Sequence, residues 1–419
     1  MPHVVTLRWE GNPSGYGGRR SRASFSYEAF IPDPIAQLAV VLPGDTALAV
    51  SLAESEIRAL NSGPTTGGLE AVGPLLLRAE SVASSRIEGL ELSQRNLARA
   101  LFDPSAAKGT ARSVAGNVRA MEEAIRIGSM DQPFAITDIT AIHRTLLTGT
   151  DQTEIAGQIR TAQNWVGGRL NSPIDAEYVP PPPENVPGLL EDLVAFVNRE
   201  DLPAVVQAAI VHAQFETIHP FNDGNGRVGR CLIHVVLRRR GLAHTFVPPV
   251  SVVLATNANA YIRGLVAYRE GEIAAWCSSI SYACRSAAEE SEALAARIAG
   301  LIEEWRGRAG SPRKGSAGSK LIELLPSQPI VSVATAHAAI GGSAEAVRLA
   351  LNGLEERGIV RQITAGRYAR AWATDELFEI LNEYEHSLAT PTRTDQRPRH
   401  APRVRKANSE PPSVESMTR

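Results

Sequence analysis

Residues 219–230 are His219-Pro-Phe-Asn-Asp-Gly-Asn-Gly-Arg-Val-Gly-Arg230, a short segment that combines groups of different chemistry. Gly224 and Gly226 flank Asn225, and both can adopt a positive φ, so successive main-chain N–H groups can turn toward one point and bind an anion. The apolar residues that follow predict a helix from about residue 225 to residue 241, whose positive dipole end would strengthen anion binding. The segment therefore predicts a phosphate-binding turn at the start of a helix.

The side chains of the same segment suit phosphate chemistry. Arg227 and Arg230 are three residues apart, so both lie on the first turn of the predicted helix and can each fork onto a phosphate oxygen. Asp223 offers the hard oxygen that Mg²⁺ prefers when it bridges nucleotide phosphates. His219 has an ordinary pKa of about 6.5, so its neutral imidazole can accept a hydroxyl proton near pH 7. Phe221 is assigned no chemistry, because an aromatic residue before a glycine turn is most simply a core residue.

The segment resembles the core motif of the Fic family, His-x-Phe-x-(Asp/Glu)-Gly-Asn-Gly-Arg-x-x-Arg, and matches every fixed position. The resemblance implies a helical core and a protein adenylyltransferase. In such an enzyme ATP binds with Mg²⁺, and a Ser, Thr or Tyr hydroxyl of a target protein attacks the α-phosphate while pyrophosphate leaves. By the same resemblance, His219 is the base and Asp223 the Mg²⁺ ligand. The residues that it assigns to nucleotide phosphates are Gly224, Asn225, Gly226, Arg227 and Arg230.

A second motif lies upstream, Ser84-Ser-Arg-Ile-Glu88-Gly89, at the end of a helix predicted over residues 74–87. Gly89 suits the C′ position of that helix. Glu88 lies at a helix C-terminus, where the dipole disfavours an anion by about 0.3 to 1 kcal/mol, so a nearby cation would stabilise it. The motif resembles the Fic inhibitory motif, Ser/Thr-x-x-x-Glu-Gly/Asn, of the class with an N-terminal inhibitory helix. The resemblance implies that Glu88 pairs with Arg230 at the γ-phosphate position; the alternative is an ordinary surface glutamate.

Residues 163–168 and 176–183 are short β-prone pieces around a glycine turn, and the second ends in four prolines. They predict a hairpin that resembles the Fic flap, an edge that binds a target peptide by adding a strand. Tyr178 and Val179 are the residues expected to hold the peptide. The alternative is a structural hairpin over the core. Arg160 also matches the family, with a role that could be only a buried ion pair.

Length, charge and cysteine content exclude several protein classes. A chain of 419 residues is expected to form two or three domains, and its net charge of −2 demands neither nucleic acid nor acidic partners. Its three cysteines show neither zinc-binding nor redox spacing. The N-terminus lacks a positive-then-apolar signal, and no apolar run reaches the roughly 18 residues of a membrane span. The sequence predicts a cytoplasmic protein with no membrane partner.

The fold class predicted is mainly α, with a Fic-type helical core, a small β-hairpin flap and a C-terminal winged helix-turn-helix domain. Composition changes along the chain give the domain boundaries. In chain order, they are an N-terminal arm and helical region with the inhibitory motif over 1–129, the Fic catalytic core over 130–306, a linker over 307–318, the winged-helix-like domain over 319–386, and a disordered tail over 387–419.

Three functions remain open from the sequence. The first is an autoinhibited protein adenylyltransferase that uses ATP, Mg²⁺ and a target protein. The second is a nucleotide-sensing DNA-binding regulator, in which Arg348, Arg361, Arg367 and Arg370 of the C-terminal domain meet phosphates. The third is removal of AMP from a modified protein at the same site, with Glu88 positioning a water. The intact motif favours an enzyme, because a sensor has no need of His219 beside the turn. The resemblance also admits a homodimer, although no interface is legible.

Overall fold

Helices make up most of the described chain, as the sequence predicts. The structure is a computed structural model that describes residues 2–10, 23–62, 66–168, 172–365 and 369–389. The helices up to the motif are α1 (Gly44–Ser62), α2 (Thr66–Ile87), α3 (Gln94–Phe102), α4 (Gly109–Gly128), α5 (Ile136–Leu147), α6 (Val186–Val197) and α7 (Ala204–Ile218). From the motif onward they are α8 (Asn225–Arg239), α9 (Val250–Thr256), α10 (Ala258–Arg269), α11 (Ile273–Arg308), α12 (Ala317–Leu324), α13 (Val333–Ile340), α14 (Ala344–Glu356) and α15 (Asp375–Ala389).

The centre of the fold is the pair α7 and α8, which the motif loop joins. Every residue of α7 is buried, because the helix is apolar or small around nearly its whole circumference. Helix α8 packs against α7 and α4, and α11 packs along α1. The predicted helix at residues 225–241 is confirmed, with its end at Arg239. The motif is therefore held by the most buried part of the chain.

Helix α2 carries the second motif at its C-terminus. It starts at Thr66, eight residues before the predicted start, and includes Pro74. Gly89 follows the helix with a φ of +77°. The N–H of Gly89 donates to the carbonyl of Arg86 at 2.9 Å, and the N–H of Leu90 donates to that of Ser85 at 3.0 Å. These two hydrogen bonds form a Schellman motif, so the prediction of Gly89 at C′ is confirmed.

The N-terminal arm contains two paired strands. Strands β1 (His3–Trp9) and β2 (Phe25–Ile31) pair antiparallel, from His3 opposite Ile31 to Trp9 opposite Phe25. Their connection at residues 11–22 lies outside the described residues. The Trp9 ring meets the edge of Trp165, with ring centroids 5.5 Å apart. The arm thus reaches the segment predicted as the flap.

The C-terminal region contains the predicted helices and hairpin. Strands β3 (Ile330–Val331), β4 (Arg361–Ala365) and β5 (Ala369–Ala373) form one antiparallel sheet in the order β3-β5-β4. Ser343 caps α14 by accepting from the N–H of Ala346 at 3.1 Å. The sequence analysis missed β3 and α15. Assignment to the winged-helix class stays a prediction.

Two of the arginines predicted to meet DNA phosphates are paired with carboxylates. Arg348 forms an ion pair with Glu345 at 2.5 Å, and Arg361 forms one with Asp375 at 2.9 Å. Arg370 is exposed, and Arg367 lies outside the described residues. DNA binding by this region stays a prediction.

The hydrophobic core continues across the predicted domain boundaries. Buried apolar side chains from Ile35 to Tyr384 form one continuous cluster. The predicted linker at 307–318 corresponds to the connection between α11 and α12, and residues 309–316 lie between these helices. Helix α15 continues to Ala389, and the rest of the predicted tail, residues 390–419, lies outside the described residues. Among the helices that the structure describes, none has the length and apolar content to span a bilayer.

Candidate functional site

His219 ends α7 in an unusual backbone conformation. Its φ of +50° and ψ of +59° lie in the left-handed region, which a non-glycine residue rarely adopts without support from its surroundings. The support comes from hydrogen bonds. The N–H of His219 donates to the carbonyl of Phe215 at 2.9 Å, and the carbonyl of His219 accepts from Arg160 at 2.9 Å and Asn164 at 3.3 Å. These hydrogen bonds hold the turn that joins α7 to the rest of the motif.

The His219 ring has the protonation expected of a general base. Its Nδ1 lies 3.3 Å from the carbonyl oxygen of Glu216, which can only accept, so Nδ1 carries the hydrogen and Nε2 keeps its lone pair. The side chain is 20% exposed. Burial lowers the pKa of His219 to about 4. The imidazole is therefore neutral at pH 7 and able to accept a proton through Nε2.

Asn225 and His143 fix the loop between His219 and α8. The Asn225 side chain accepts from the N–H of Phe221 at 2.9 Å and donates to its carbonyl at 2.8 Å. His143 stacks on the Phe221 ring at 3.7 Å and contacts the carbonyl of Asp223 at 3.0 Å. Phe221 is fully buried, in agreement with a core role. The Asn225 side chain thus shapes the loop, and only its main chain is left to contact a ligand.

The start of α8 presents the main-chain donors that the sequence predicts. Gly224 has a φ of +79°, which a residue with a Cβ would adopt only with strain. Within the part of the chain that the structure describes, the N–H groups of Asn225, Gly226 and Arg227 donate to no acceptor. They begin a helix of 15 residues, whose dipole adds partial positive charge. The turn is built to bind an anion.

Arg230 lies beneath this turn and joins it to α2. Its guanidinium donates to the Ser84 hydroxyl at 2.9 Å, to the Ser84 carbonyl at 2.7 Å and to a carboxylate oxygen of Glu88 at 2.8 Å. The Arg230 side chain is 1% exposed, whereas that of Glu88 is 38% exposed. A Cβ placed on Gly226 would overlap the same Glu88 oxygen. The Glu88 carboxylate therefore sits over the first turn of α8, where an anionic ligand would bind.

Asp223 and Arg227 lie on the adjoining part of the turn. Arg227 is buried, and its guanidinium is 3.6 Å from the carboxylate of Asp223. The Asp223 side chain is 45% exposed and accepts from Gln152 and from the N–H of Gly224. An exposed carboxylate beside a phosphate-binding turn suits a divalent cation.

One cavity of about 240 Å³ brings together Glu88, Tyr178, His219, Gly226 and Arg230. The other predicted site residues are not part of its lining: Ser84, Gly89, Val179, Asp223, Gly224, Asn225 and Arg227. The volume is below the roughly 300–1,000 Å³ of most ligand sites. The Glu88 carboxylate fills the space next to Gly226 in this cavity.

Helix α10 forms a wall of the cavity that the sequence analysis did not identify. Tyr261, Ile262, Leu265, Val266 and Arg269 line it. Ile262 is 48% exposed, so part of its apolar side chain is open to a ligand. The sequence signal was weak, because apolar residues at this spacing predict only a helix face packed on the core. An apolar wall opposite an anion-binding turn suits the base of a nucleotide.

Glu216 is a second residue that the sequence analysis missed. It is buried beside the base, with a carboxylate oxygen 3.9 Å from Nδ1 of His219. Its other oxygen has no hydrogen-bond partner within the described residues. Burial raises the pKa of Glu216 to about 8, with Arg230 lowering it and Glu88 raising it further. A carboxylate within a mainly apolar helix was the available signal.

In the predicted flap, the described residues pair through one antiparallel bridge, between Val166 and Tyr178. The N–H of Val166 donates to the carbonyl of Tyr178 at 2.8 Å. The Tyr178 hydroxyl donates to the carbonyl of Thr217 at 2.7 Å, and the Val179 carbonyl accepts from the N–H of Phe30 at 3.0 Å. Strand β2 thus already occupies the outer edge at Val179. Peptide binding by Tyr178 and Val179 stays a prediction, and at Val179 it requires displacement of Phe30.

Arg160 supports the motif loop through carbonyl groups. Its guanidinium donates to the carbonyls of His219, Pro181 and Ala162 at 2.9, 2.5 and 3.3 Å. No carboxylate of the described residues forms an ion pair with it, so the buried ion pair considered for Arg160 is not what the structure has.

Replacement of Arg160 with methionine is expected to lower the free energy of unfolding by about 2–4 kcal/mol, because it leaves several buried carbonyls without a donor. Urea denaturation measures the change. Arg58→Met is the matched control, since it removes only a surface ion pair with Glu54 and is expected to cost about 0.5 kcal/mol. Equal losses in the two variants would contradict the support role of Arg160.

Stability is expected to fall as the pH is lowered from 7 to 5. Burial lowers the pKa of His212 to about 3 and that of His219 to about 4, while both titrate near 6.5 in the unfolded chain. Between these values only the unfolded chain binds the protons of these two rings, which costs the folded state on the order of 1–4 kcal/mol. The raised pKa of Glu216 offsets part of this loss, because the folded state keeps that carboxyl protonated. Urea midpoints at pH 7, 6 and 5 measure the change. His212→Gln should flatten the dependence, and an equally steep fall in that variant would contradict the buried neutral ring of His212.

Comparison with known proteins identifies relatives of this site. The sequence model of the Fic/DOC family matches residues 133–237. Protein adenylyltransferase fic-1 of Caenorhabditis elegans is 36% identical over 131 residues, which are 30% of this chain and 23% of that protein. Protein adenylyltransferase Fic of Drosophila yakuba is 34% identical over 143 residues, which are 33% of this chain and 26% of that protein. The chain thus spans about a quarter of the length of these curated relatives.

A solved structure shares the fold over a longer region. The crystal structure of a Fic family protein from Desulfovibrio desulfuricans superposes with a TM-score of 0.51 at 22% identity. The superposition covers 81% of this chain and 98% of that one. The likeness establishes a common fold.

Proposed function

This chain is a Fic family protein, and from that premise we propose that it transfers AMP from ATP to a Ser, Thr or Tyr hydroxyl of a target protein. The observation that carries the proposal is that His219, Gly226 and Arg230 line one cavity. A base and an anion-binding helix end therefore meet at one place, as transfer of a phosphate-linked group to a hydroxyl requires. The relatives named as protein adenylyltransferases support the same reaction.

The residues divide the reaction between them. The main-chain donors at the start of α8 and the guanidinium of Arg230 bind the phosphates of ATP. Nε2 of His219 takes the proton of the target hydroxyl while that oxygen attacks the α-phosphorus. A new oxygen–phosphorus bond forms, the bond to the bridging oxygen breaks, and pyrophosphate leaves with the electron pair. Positioning and charge stabilisation supply most of the rate.

Asp223 is the residue that would hold Mg²⁺. Its exposed carboxylate is a hard oxygen donor at the edge of the anion-binding turn. Within the described ranges, no three His, Cys, Asp or Glu side chains gather into a metal site. This fits an ion that takes one protein carboxylate and completes its shell with phosphates and water. When bound, Mg²⁺ supplies positive charge that neutralises the phosphates.

Glu88 keeps the site switched off in this proposal. Its carboxylate accepts a hydrogen bond from the Arg230 guanidinium at 2.8 Å and lies against Gly226. A terminal phosphate of ATP would need the same guanidinium and the same space. ATP is then excluded or bound with its α-phosphate out of reach of His219.

Labelled ATP tests the proposed reaction. The Glu88→Gly chain is incubated with Mg²⁺, a cell lysate and ATP labelled on either the α- or the γ-phosphate. AMP transfer places the α-label on protein and leaves the γ-label in pyrophosphate. Protein that carries the γ-label instead would overturn AMP transfer in favour of phosphoryl transfer.

Removal of AMP is the second candidate, and one observation favours it. One carboxylate oxygen of Glu88 accepts from Arg230, the other accepts no hydrogen bond from the described residues, and Glu88 lines the same cavity as His219. That oxygen can orient a water for attack on a protein-bound AMP. Lysate proteins that the Glu88→Gly chain has labelled are purified and incubated with the unaltered chain. Loss of label would favour removal, and retained label would dismiss it.

A further inference from the structure

The last turn of the inhibitory helix α2 is tied to the last helix of the described chain. Glu385 of α15 accepts from the guanidinium of Arg86 at 2.6 Å through one oxygen and from the side chain of Gln94 at 2.7 Å through the other. The Glu385 side chain is 13% exposed and that of Arg86 is 41% exposed. A single carboxylate therefore joins α2, the start of α3 and α15.

Helix α15 is itself firmly placed. Its Leu377, Phe378, Leu381 and Tyr384 side chains are at most 3% exposed. Its first residue, Asp375, pairs with Arg95 of α3 at 3.0 Å and with Arg361 of β4 at 2.9 Å. The helix thus connects the C-terminal sheet to the region that carries the inhibitory motif.

Arg86 is close enough to Glu88 for this contact to matter. It lies two residues before Glu88, and its main-chain carbonyl accepts from the N–H of Gly89 in the turn that ends α2. Among the described residues, the Glu88 carboxylate is held only by Arg230. A small displacement of this turn would move the carboxylate away from Arg230 and Gly226. The position of Glu88 therefore depends on what holds the turn from outside.

We propose that α15 holds the inhibitory turn in place through Glu385, so that the C-terminal region sets the activity of the site. A ligand or partner that shifts α15 would release Arg86 and, with it, Glu88. The proposal gives the C-terminal region a role in control of the catalytic site. It rests on the proposed adenylyltransferase function and on inhibition by Glu88.

The test compares AMP transfer by variants of the full chain, with α-labelled ATP, Mg²⁺ and lysate. Glu385→Gln is expected to raise the rate about fivefold, at the low end of coupling between sites. Arg86→Met, which breaks the pair from the other side, should give a similar rise, and the double variant no further rise. Glu383→Gln is the matched control, because Glu383 pairs with Arg297 of α11 and does not touch α2.

The Glu88→Gly background separates this inference from the function on which it rests. If Glu385 acts through Glu88, Glu385→Gln will not change the rate once Glu88 is glycine. Two results would overturn the proposed role of Glu385. One is that Glu385→Gln alone leaves the rate unaltered. The other is that Glu385→Gln still raises the rate of an active Glu88→Gly chain. A Glu88→Gly chain that transfers no AMP would instead overturn the proposed function.

Discussion

Replacement of Glu88 with glycine is expected to raise the rate of AMP transfer to protein by about 10- to 100-fold. The substitution removes a charged hydrogen bond to Arg230, an interaction of about 1.5–3 kcal/mol, and each 1.36 kcal/mol corresponds to a factor of ten. It also clears the space over Gly226. Arg230 keeps its two hydrogen bonds to Ser84, so the guanidinium stays in place to bind a phosphate. The gain therefore comes from access to a preformed site.

The rate is measured as incorporation of α-label into lysate proteins over time. Glu91→Gly serves as the matched control, because Glu91 is exposed and lies just beyond the inhibitory motif. It should leave the rate unchanged. A Glu88→Gly chain no faster than this control would remove Glu88 from the regulation of the site.

Replacement of His219 with alanine in the Glu88→Gly chain is expected to lower AMP transfer by about 10²–10⁴-fold, the contribution of a positioned general base. His219 is the cavity residue with an unprotonated ring nitrogen free to accept a proton near pH 7. Its neighbour Glu216 is buried and has a pKa raised to about 8, so it cannot easily substitute. The main-chain donors of α8 are not altered by the change.

ATP binding should therefore survive the loss of His219. Calorimetric titration of the double variant with ATP and Mg²⁺ distinguishes lost chemistry from lost binding. His244→Ala is the control, since His244 is exposed on the connection that follows α8. Transfer that continues at an undiminished rate without His219 would assign the proton to another group.

Short-range features of the site were predictable from the sequence. Gly224 and Gly89 occupy positive-φ positions because a turn and a helix end at those points require them, and both requirements are local. Helix α8 follows from the apolar spacing after the motif, and the cap at Ser343 follows from its side-chain type. The Fic motif itself combined these signals within a dozen residues.

Contacts between distant segments were not predictable in this way. The pairing of β1 with β2 joins segments separated by residues 11–22, and no turn signal fixed their register. The pair of Arg86 with Glu385 joins residues 299 apart. The hydrogen bonds by which the Asn225 side chain closes the loop at Phe221 were also not predicted. These features depend on packing that a local pattern does not contain.

The composition of the cavity wall illustrates the same limit of local patterns. Tyr261 and Ile262 of α10 have the spacing of a helix that packs on a core, and only their position opposite α8 gives them a place in the site. Glu216 is similar, because its importance comes from the 3.9 Å distance to His219. The contribution of these residues to the site depends on how α7 and α10 pack, which the spacing of residues within each helix does not contain.

The central claim is that His219 takes the proton of a target hydroxyl while that hydroxyl attacks a nucleotide held by the turn at Gly226. Intact-mass analysis of a purified target protein, incubated with ATP, Mg²⁺ and the Glu88→Gly chain, tests it most directly. The account predicts that the target gains the mass of one AMP group, and that the Glu88→Gly, His219→Ala chain adds none. A target of unchanged mass with both chains, although ATP binds to each, would contradict it.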